Sequence, residues 1–131
     1  MKQTVWAMVL SAGFLALGYA SMPSAHAEGA ATCGGKGQTP CPLQGWMEKN
    51  MQGPTDKGDV KALATAFAQA AKFVPDPAWN SGDPSWATIS KAGADAAAKG
   101  DLAAAKAQCK SCHKAFRDKY KASFRTKPIA N

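Results

Sequence analysis

Five consecutive residues constrain this chain more than any others, because Cys109, Lys110, Ser111, Cys112 and His113 read C-x-x-C-H. This spacing is the attachment signal of a c-type haem: two thiols add across the two haem vinyl groups, and the next residue offers an imidazole nitrogen to the iron. On a helix, Cys109, Cys112 and His113 lie on the same side. The motif therefore predicts one covalently attached haem c with His113 as an axial ligand.

The first residues predict export. Lys2 precedes a mostly apolar run over residues 5–19, and residues 25–27 read Ala-His-Ala, so we expect a secretory signal peptide over residues 1–27 that is cut before Glu28. The apolar run is short for a membrane anchor, which needs about 20 residues. A lipid anchor on Cys33 is the weaker alternative, because the preceding residues lack the leucine of a lipoprotein signal. We expect a periplasmic protein with no stable membrane insertion after cleavage.

The mature chain, residues 28–131, has the length of one small domain. The complete chain carries a formal net charge of +7, and Lys2 is the only charged residue of the leader. Among the side chains that commonly ligate haem iron, the mature chain keeps one histidine, His113, and two methionines, Met47 and Met51. Ligation by two histidines of one chain is therefore excluded.

Two further cysteines, Cys33 and Cys41, lie in a segment rich in Gly, Ala and Thr that is typical of a loop. If the haem uses Cys109 and Cys112, these two form the remaining pair. An oxidising compartment then favours a disulfide between them, which would clip the N-terminal loop 28–42. Free thiols or a metal site are the alternatives.

The rest of the mature chain predicts helices and no strands. Apolar residues recur at helical spacing in four segments, and Gly, Pro and Asp residues punctuate the gaps between them. Because the connections are short, an all-α four-helix bundle is the expected architecture. The helices are expected at residues 42–52, ended by Gly53-Pro54; from 56–59 to Val74; from Asp83-Pro84, as N-cap and first turn, to Lys99-Gly100; and from Asp101 to about Phe124.

Alanine is unusually frequent in the second, third and fourth predicted helices. Alanine favours helix formation but buries little apolar area, and a domain of this size is marginal even with a good core. A haem between the helices would supply a large apolar body. We therefore expect the haem-free chain to be poorly ordered.

Residues 109–117 fit the pattern C-K-x-C-H-x-x-[FY]-R, and in this respect the chain resembles the class II c-type cytochromes, the cytochrome c′ and cytochrome c-556 group. The resemblance implies a helical bundle with its haem on the last helix. It also implies a sixth iron site that is either vacant or filled by a methionine of the first helix. Residues 46–50 resemble the ligand-bearing helix of the c-556 type, which favours Met47, with Met51 as the alternative. Both methionines can equally be ordinary core residues.

Other residues are candidates for the surroundings of the haem. Trp46 and Phe116 are candidates to line its pocket, and Arg117, which matches the family arginine, to lie near a propionate. The competing interpretation is that the two aromatic residues belong to the core and that Arg117 is a solvated surface residue. A basic stripe along the last helix would attract an acidic redox partner, although such a stripe is commonly just the solvated face of a helix. The basic stripe comprises Lys106, Lys110, Lys114, Arg117 and Lys121.

The expected function is electron transfer by a periplasmic monohaem cytochrome with His/Met ligation, and a five-coordinate binder of small gases such as nitric oxide is the alternative. A thiol oxidoreductase using Cys109 and Cys112 expects the pair at a helix start after a strand, which the sequence does not predict. A zinc site built from the four cysteines and His113 has unsuitable spacing. Because no acid/base pair or substrate motif is recognisable, we expect no enzymatic activity. Nucleic acid is a poor partner for an exported chain with scattered charge, and a homodimer is possible.

Overall fold

The computed structural model describes residues 32–129, and over this range the fold is all-α, with no strand among the described residues. The predicted signal peptide over residues 1–27 lies outside the described residues. Four helices are joined by turns and by one short 3-10 helix. No helix in the described range is long and apolar enough to cross a membrane.

The first helix, α1, is longer than the sequence predicts, because it runs over residues 42–57 instead of ending at Gly53-Pro54. It consists of an α-helical segment Pro42–Met47, a π-helical turn Glu48–Gln52 and a second α-helical segment Gly53–Lys57. The N–H of Gly53 donates to the carbonyl of Glu48, five residues earlier. Pro54 then occupies the first turn of the last segment, where its missing N–H costs little. The helix ends at Gly58, whose φ of 68° suits glycine.

The second helix, α2, spans Val60–Ala70 and begins at Asp59, whose side chain accepts a hydrogen bond from the N–H of Ala62 at 3.0 Å. The prediction that this helix reaches Val74 is wrong, since it ends four residues earlier. Pro75 disfavours helical geometry at the residue before it, and Val74 packs against the core from outside the helix. The 3-10 helix Pro77–Asn80 follows.

The third helix, α3, spans Trp86–Ala98, and its N-cap is Ser85, not Asp83 as predicted. The Ser85 hydroxyl accepts a hydrogen bond from the N–H of Thr88 at 3.0 Å, which satisfies one of the donors that the first turn leaves free. The prediction that α3 ends at Lys99-Gly100 is confirmed, because Lys99 is the C-cap and Gly100 has a φ of 79°.

The last helix, α4, spans Leu102–Ser123 and carries the C-x-x-C-H motif well inside it, as expected. Asp101 caps its first turn by accepting a hydrogen bond from the N–H of Ala104 at 2.8 Å. Phe124 is the C-cap. The chain then turns through Arg125 toward the end of the described range.

Two hydrophobic clusters hold the helices together. α2 packs closely on α3 and α3 on α4, while α1 approaches α2 chiefly through its π-helical turn. The first group of buried residues, named the aromatic cluster, and the second, named the alanine cluster, lie at different places along α4. The aromatic cluster comprises Leu43, Trp79, Trp86, Ile89 and Phe116; the alanine cluster comprises Leu63, Phe67, Ala97 and Ala105.

The disulfide between Cys33 and Cys41 is confirmed, with the two Cα atoms 4.9 Å apart. Cys41 is completely buried and immediately precedes α1. The loop that the disulfide closes is held by a hydrogen bond of 2.7 Å from the N–H of Gly34 to the carbonyl of Thr39. The N-terminal loop is therefore fixed to the start of the first helix.

Candidate haem-attachment site

The two thiols of the motif, Cys109 and Cys112, are both free and both partly buried on α4. An uninterrupted helix from Leu102 onward keeps them one turn apart, so they project from neighbouring positions on one side of α4. Cys112 packs against the aromatic cluster and Cys109 against the alanine cluster. The pair therefore lies where the two halves of the core meet on this helix.

Both thiols are held in the neutral form. Burial, and secondly the charge of Cys109, raise the pKa of Cys112 to about 12. Burial also raises the pKa of Cys109. Cysteines that act as nucleophiles have a lowered pKa, so this pair lacks the activation that a thiol oxidoreductase needs. The position of the pair deep inside a helix, with no strand before it in the described residues, also departs from that class.

His113 lies at the surface and belongs to neither cluster. Partial burial of its ring lowers the pKa of the imidazole, and the positive charge of Arg117, one turn later on the helix, lowers it further. A lowered pKa favours the neutral imidazole, which is the form that binds a metal. His113 thus follows Cys112 directly in the sequence, but its side chain lies at the edge of the core and not within it.

The two methionines of α1 are partly buried and pack against different clusters. Met47 contacts the aromatic cluster, as Cys112 does, and Met51 contacts the alanine cluster, as Cys109 does. Met47 ends the first segment of α1, and Met51 lies within the π-helical turn that follows. Each methionine therefore belongs to the same half of the core as one of the two thiols.

The three predicted haem-pocket residues have different environments. Phe116 is buried and stacks on Trp79 with ring centroids 5.0 Å apart. Trp46 is half-buried and meets the ring of Phe73 edge to face at 4.6 Å. Arg117 is exposed. Phe116 is thus part of the core, whereas Trp46 packs on Phe73 at its edge and Arg117 lies on the solvated side of α4.

The cations of the predicted basic stripe are all exposed on α4. Within the described residues, the single ion pair joins Lys91 and Asp95 on α3. The stripe residues Lys106, Lys110, Lys114, Arg117 and Lys121 therefore have no carboxylate partner there. Because His113 falls between Lys110 and Lys114 in sequence, the exposed edge of the motif carries a concentration of positive charge.

Arg125 and Tyr120 link the end of α4 to the N-terminal loop, and these contacts were not predicted from the sequence. Arg125 donates a hydrogen bond of 2.8 Å from Nη2 to the carbonyl oxygen of Cys33. The hydroxyl of Tyr120 donates one of 3.2 Å to the carbonyl of Arg125. No local pattern marks Arg125, because it follows the last helix and its partner is 92 positions away.

The donor chemistry of this region fits a covalently attached haem. Two neutral thiols one turn apart and the imidazole of the next residue are the groups that attach and ligate a c-type haem, and the two thioether sulfurs on α1 are further ligand atoms that such a centre could use. The zinc alternative needs all four cysteines, but Cys33 and Cys41 are joined to each other. Within the described range, no three His, Cys, Asp or Glu side chains are grouped so that they could hold a metal ion.

Comparison with known proteins identifies no relative: no family model matches the sequence, and no curated protein and no solved structure matches the chain.

Proposed function

We propose that this protein is an exported monohaem c-type cytochrome that transfers electrons in the periplasm, and that it has no enzymatic activity of its own. The observation that carries the proposal is the C-x-x-C-H motif on α4, with two free thiols that abut the two halves of the core. The methionines of α1 contact the same two halves. The finer architecture that we propose is a four-helix bundle assembled around the haem.

In this proposal each residue has a separate task. Cys109 and Cys112 would hold the haem through two thioethers, and His113 would supply a nitrogen ligand to its iron. Met47, or else Met51, would supply a sulfur ligand. A bound haem would provide one-electron redox chemistry, and a methionine ligand would raise the reduction potential.

Apolar side chains border the thiols on their core side. In the aromatic cluster, Phe116 of α4 stacks on Trp79, and Leu43 and Met47 of α1 pack in the same cluster. A less hydrated, apolar environment disfavours the extra positive charge of ferric iron. An apolar environment and a methionine ligand would therefore both raise the reduction potential.

The proposed redox partner is a protein with an acidic docking surface. The support is the exposed stripe of cations on α4 without carboxylate partners in the described range. Opposite charge on a partner would increase the association rate, and added salt would reduce it. Docking at this surface would bring the partner next to the exposed side of His113.

The ligand assignment is tested with the protein matured in a host that attaches c-type haem. Oxidised wild type should show the weak sulfur-to-iron charge-transfer band at the red end of the visible spectrum. Met47→Ala should abolish this band, and Met51→Ala, the matched change one turn away, should retain it. Loss of the band only in Met51→Ala would transfer the ligand role to Met51.

Gas binding by five-coordinate iron is the second candidate. The apolar cluster around Met47 favours it, because mainly apolar surroundings of a bound haem would suit small neutral gases if the sulfur stays in the core. Carbon monoxide distinguishes the two functions. Binding without displacement of a ligand, together with no charge-transfer band in the wild type, would favour the gas-binding function over electron transfer.

A further inference from the structure

We propose that Arg125 and the loop closed by Cys33–Cys41 form a clasp that positions α1, and with it the axial methionine, against the thiol side of α4. The inference rests on the proposed function, and it assigns a positioning role to residues outside the motif. The described hydrogen bonds of Arg125 join it to Cys33 and Tyr120, so it would act through the loop and α1.

The need for a clasp follows from how the helices pack. Close backbone packing joins α2 to α3, α3 to α4, and the π-helical turn of α1 to α2. No comparably close backbone packing joins α1 to α4 in the described range. The first segment of α1 reaches the rest of the core through side chains, chiefly Leu43 and Met47 at the aromatic cluster. The distance between α1 and α4 therefore depends on these side chains and on whatever joins the ends of the two helices.

One half of the clasp is fixed to α1. The disulfide joins Cys33 to the completely buried Cys41. The carbonyl of Cys41 accepts the N–H of Gly45 at 2.8 Å, which makes Cys41 the N-cap of α1. Cys33 is therefore connected by a covalent bond to the start of the helix that carries Met47.

The other half of the clasp is fixed to α4. The Arg125 guanidinium donates a hydrogen bond of 2.8 Å to the carbonyl of Cys33, and the Arg125 carbonyl accepts one of 3.2 Å from the hydroxyl of Tyr120. Phe124, the C-cap of α4, meets Trp79 edge to face at 5.2 Å. Arg125 is thus held between the end of α4 and the N-terminal loop.

The contact between the two halves is tight. Gly34 has a φ of 73°, which disfavours any other residue. A Cβ atom built on Gly34 would lie 2.5 Å from the Oε1 of Gln44 on α1 and 2.8 Å from the Nη2 of Arg125. The loop therefore lies against both α1 and Arg125, and a larger residue at Gly34 would have to displace the ends of the Gln44 and Arg125 side chains.

The test uses the haem-loaded, disulfide-intact protein and measures ligation instead of electron-transfer activity. Arg125→Ala should still attach one haem, as shown by mass, but lose most of the sulfur-to-iron band. Its carbon monoxide affinity should rise by roughly tenfold or more, because less methionine competes for the iron. Arg125→Lys, which can still donate to the Cys33 carbonyl, should restore part of the band.

Lys127→Ala is the matched control. Lys127 lies two residues after Arg125, and its ammonium donates to the carbonyl of Pro75, so it anchors the same segment to a different loop. We expect Lys127→Ala to keep the band of the wild type. The double variant Cys33→Ser/Cys41→Ser should reproduce the effect of Arg125→Ala, since it removes the other half of the clasp.

The proposal is overturned if Arg125→Ala keeps the full band and the carbon monoxide affinity of the wild type. It is also overturned if Lys127→Ala loses the band to the same extent, because the effect would then be a general loss of stability. A haem-loaded wild type with no methionine band overturns it as well, since there would be no ligand to position. Absence of haem from the wild type is a separate result that refutes the proposed function itself.

Discussion

At the scale of single residues, the four cysteines divide into a disulfide-bonded pair and a free pair, and the free pair marks the candidate site. Cys33 and Cys41 form the structural disulfide, which leaves Cys109 and Cys112 free on α4. Because burial raises the pKa of both free thiols, neither is set up for disulfide exchange at neutral pH. Their partly buried positions suit permanent attachment to an apolar group better than reversible redox chemistry.

Changing one thiol at a time tests this division of roles. Cys109→Ala and Cys112→Ala should each attach haem through one thioether and leave one vinyl group unsaturated, so the pyridine haemochrome band should move to longer wavelength than in the wild type. The double variant should hold no covalent haem. An unshifted band in either single variant would contradict attachment through both sulfurs.

At the scale of helices, the least tolerant contact is the crossing of α2 and α3 at Gly93. A Cβ atom at Gly93 would overlap the ring of Phe67, which is buried in the alanine cluster. The two helices are also joined by a hydrogen bond of 2.7 Å from the Trp86 indole to the carbonyl of Ala70. The close approach therefore leaves no room for a methyl group.

Gly93→Ala should lower the free energy of unfolding of the haem-loaded protein by about 1–3 kcal/mol, the usual cost of overpacking a core. Denaturant unfolding followed by circular dichroism measures the change. Gly82→Ala is the control, because a Cβ there would meet nothing within 4 Å. Equal stability of the two variants would show that α2 and α3 are less closely packed than described.

The helices were largely predictable from local signals, and the errors have local causes. Asp101 and Gly100 marked the start of α4 correctly, because caps and left-handed turns depend on nearby residues. Gly53-Pro54 predicted a helix end that is absent, since a π-helical turn accommodates both residues within α1. Such turns are rare and frequently found at functional sites, and this one contains Met51.

The site was predictable only where its residues are close in sequence. The motif residues Cys109, Cys112 and His113 follow from spacing alone, and the cysteine count indicated the disulfide. Spacing could not distinguish Met47 from Met51, because both lie on the inner side of α1 and each contacts a different cluster. Arg125 was not predictable, since its contact with Cys33 depends on how the chain ends meet.

At the scale of the whole molecule, the core is small for the number of helices it joins. Among the described residues, four of the twelve buried apolar residues are alanines: Ala66, Ala70, Ala97 and Ala105. Alanine contributes little hydrophobic stabilisation, and a domain of this size is close to the limit of independent stability. Covalent attachment of a large apolar group would therefore be a major part of its folding free energy.

The haem-free chain should accordingly be poorly ordered. We expect the double variant Cys109→Ala/Cys112→Ala, produced with its disulfide intact, to show a broad thermal transition by circular dichroism at a lower temperature than the haem-loaded wild type. Reduced helical signal before melting should accompany it. A sharp, native-like transition at the temperature of the wild type would contradict an essential structural role for the haem.

One measurement tests the central claim most directly: the intact mass and colour of the processed polypeptide purified from a host that matures c-type cytochromes. The account predicts a coloured protein that begins at Glu28 and whose mass, measured under denaturing conditions, exceeds that of the polypeptide by one haem. A colourless protein with the mass of the bare polypeptide would contradict it.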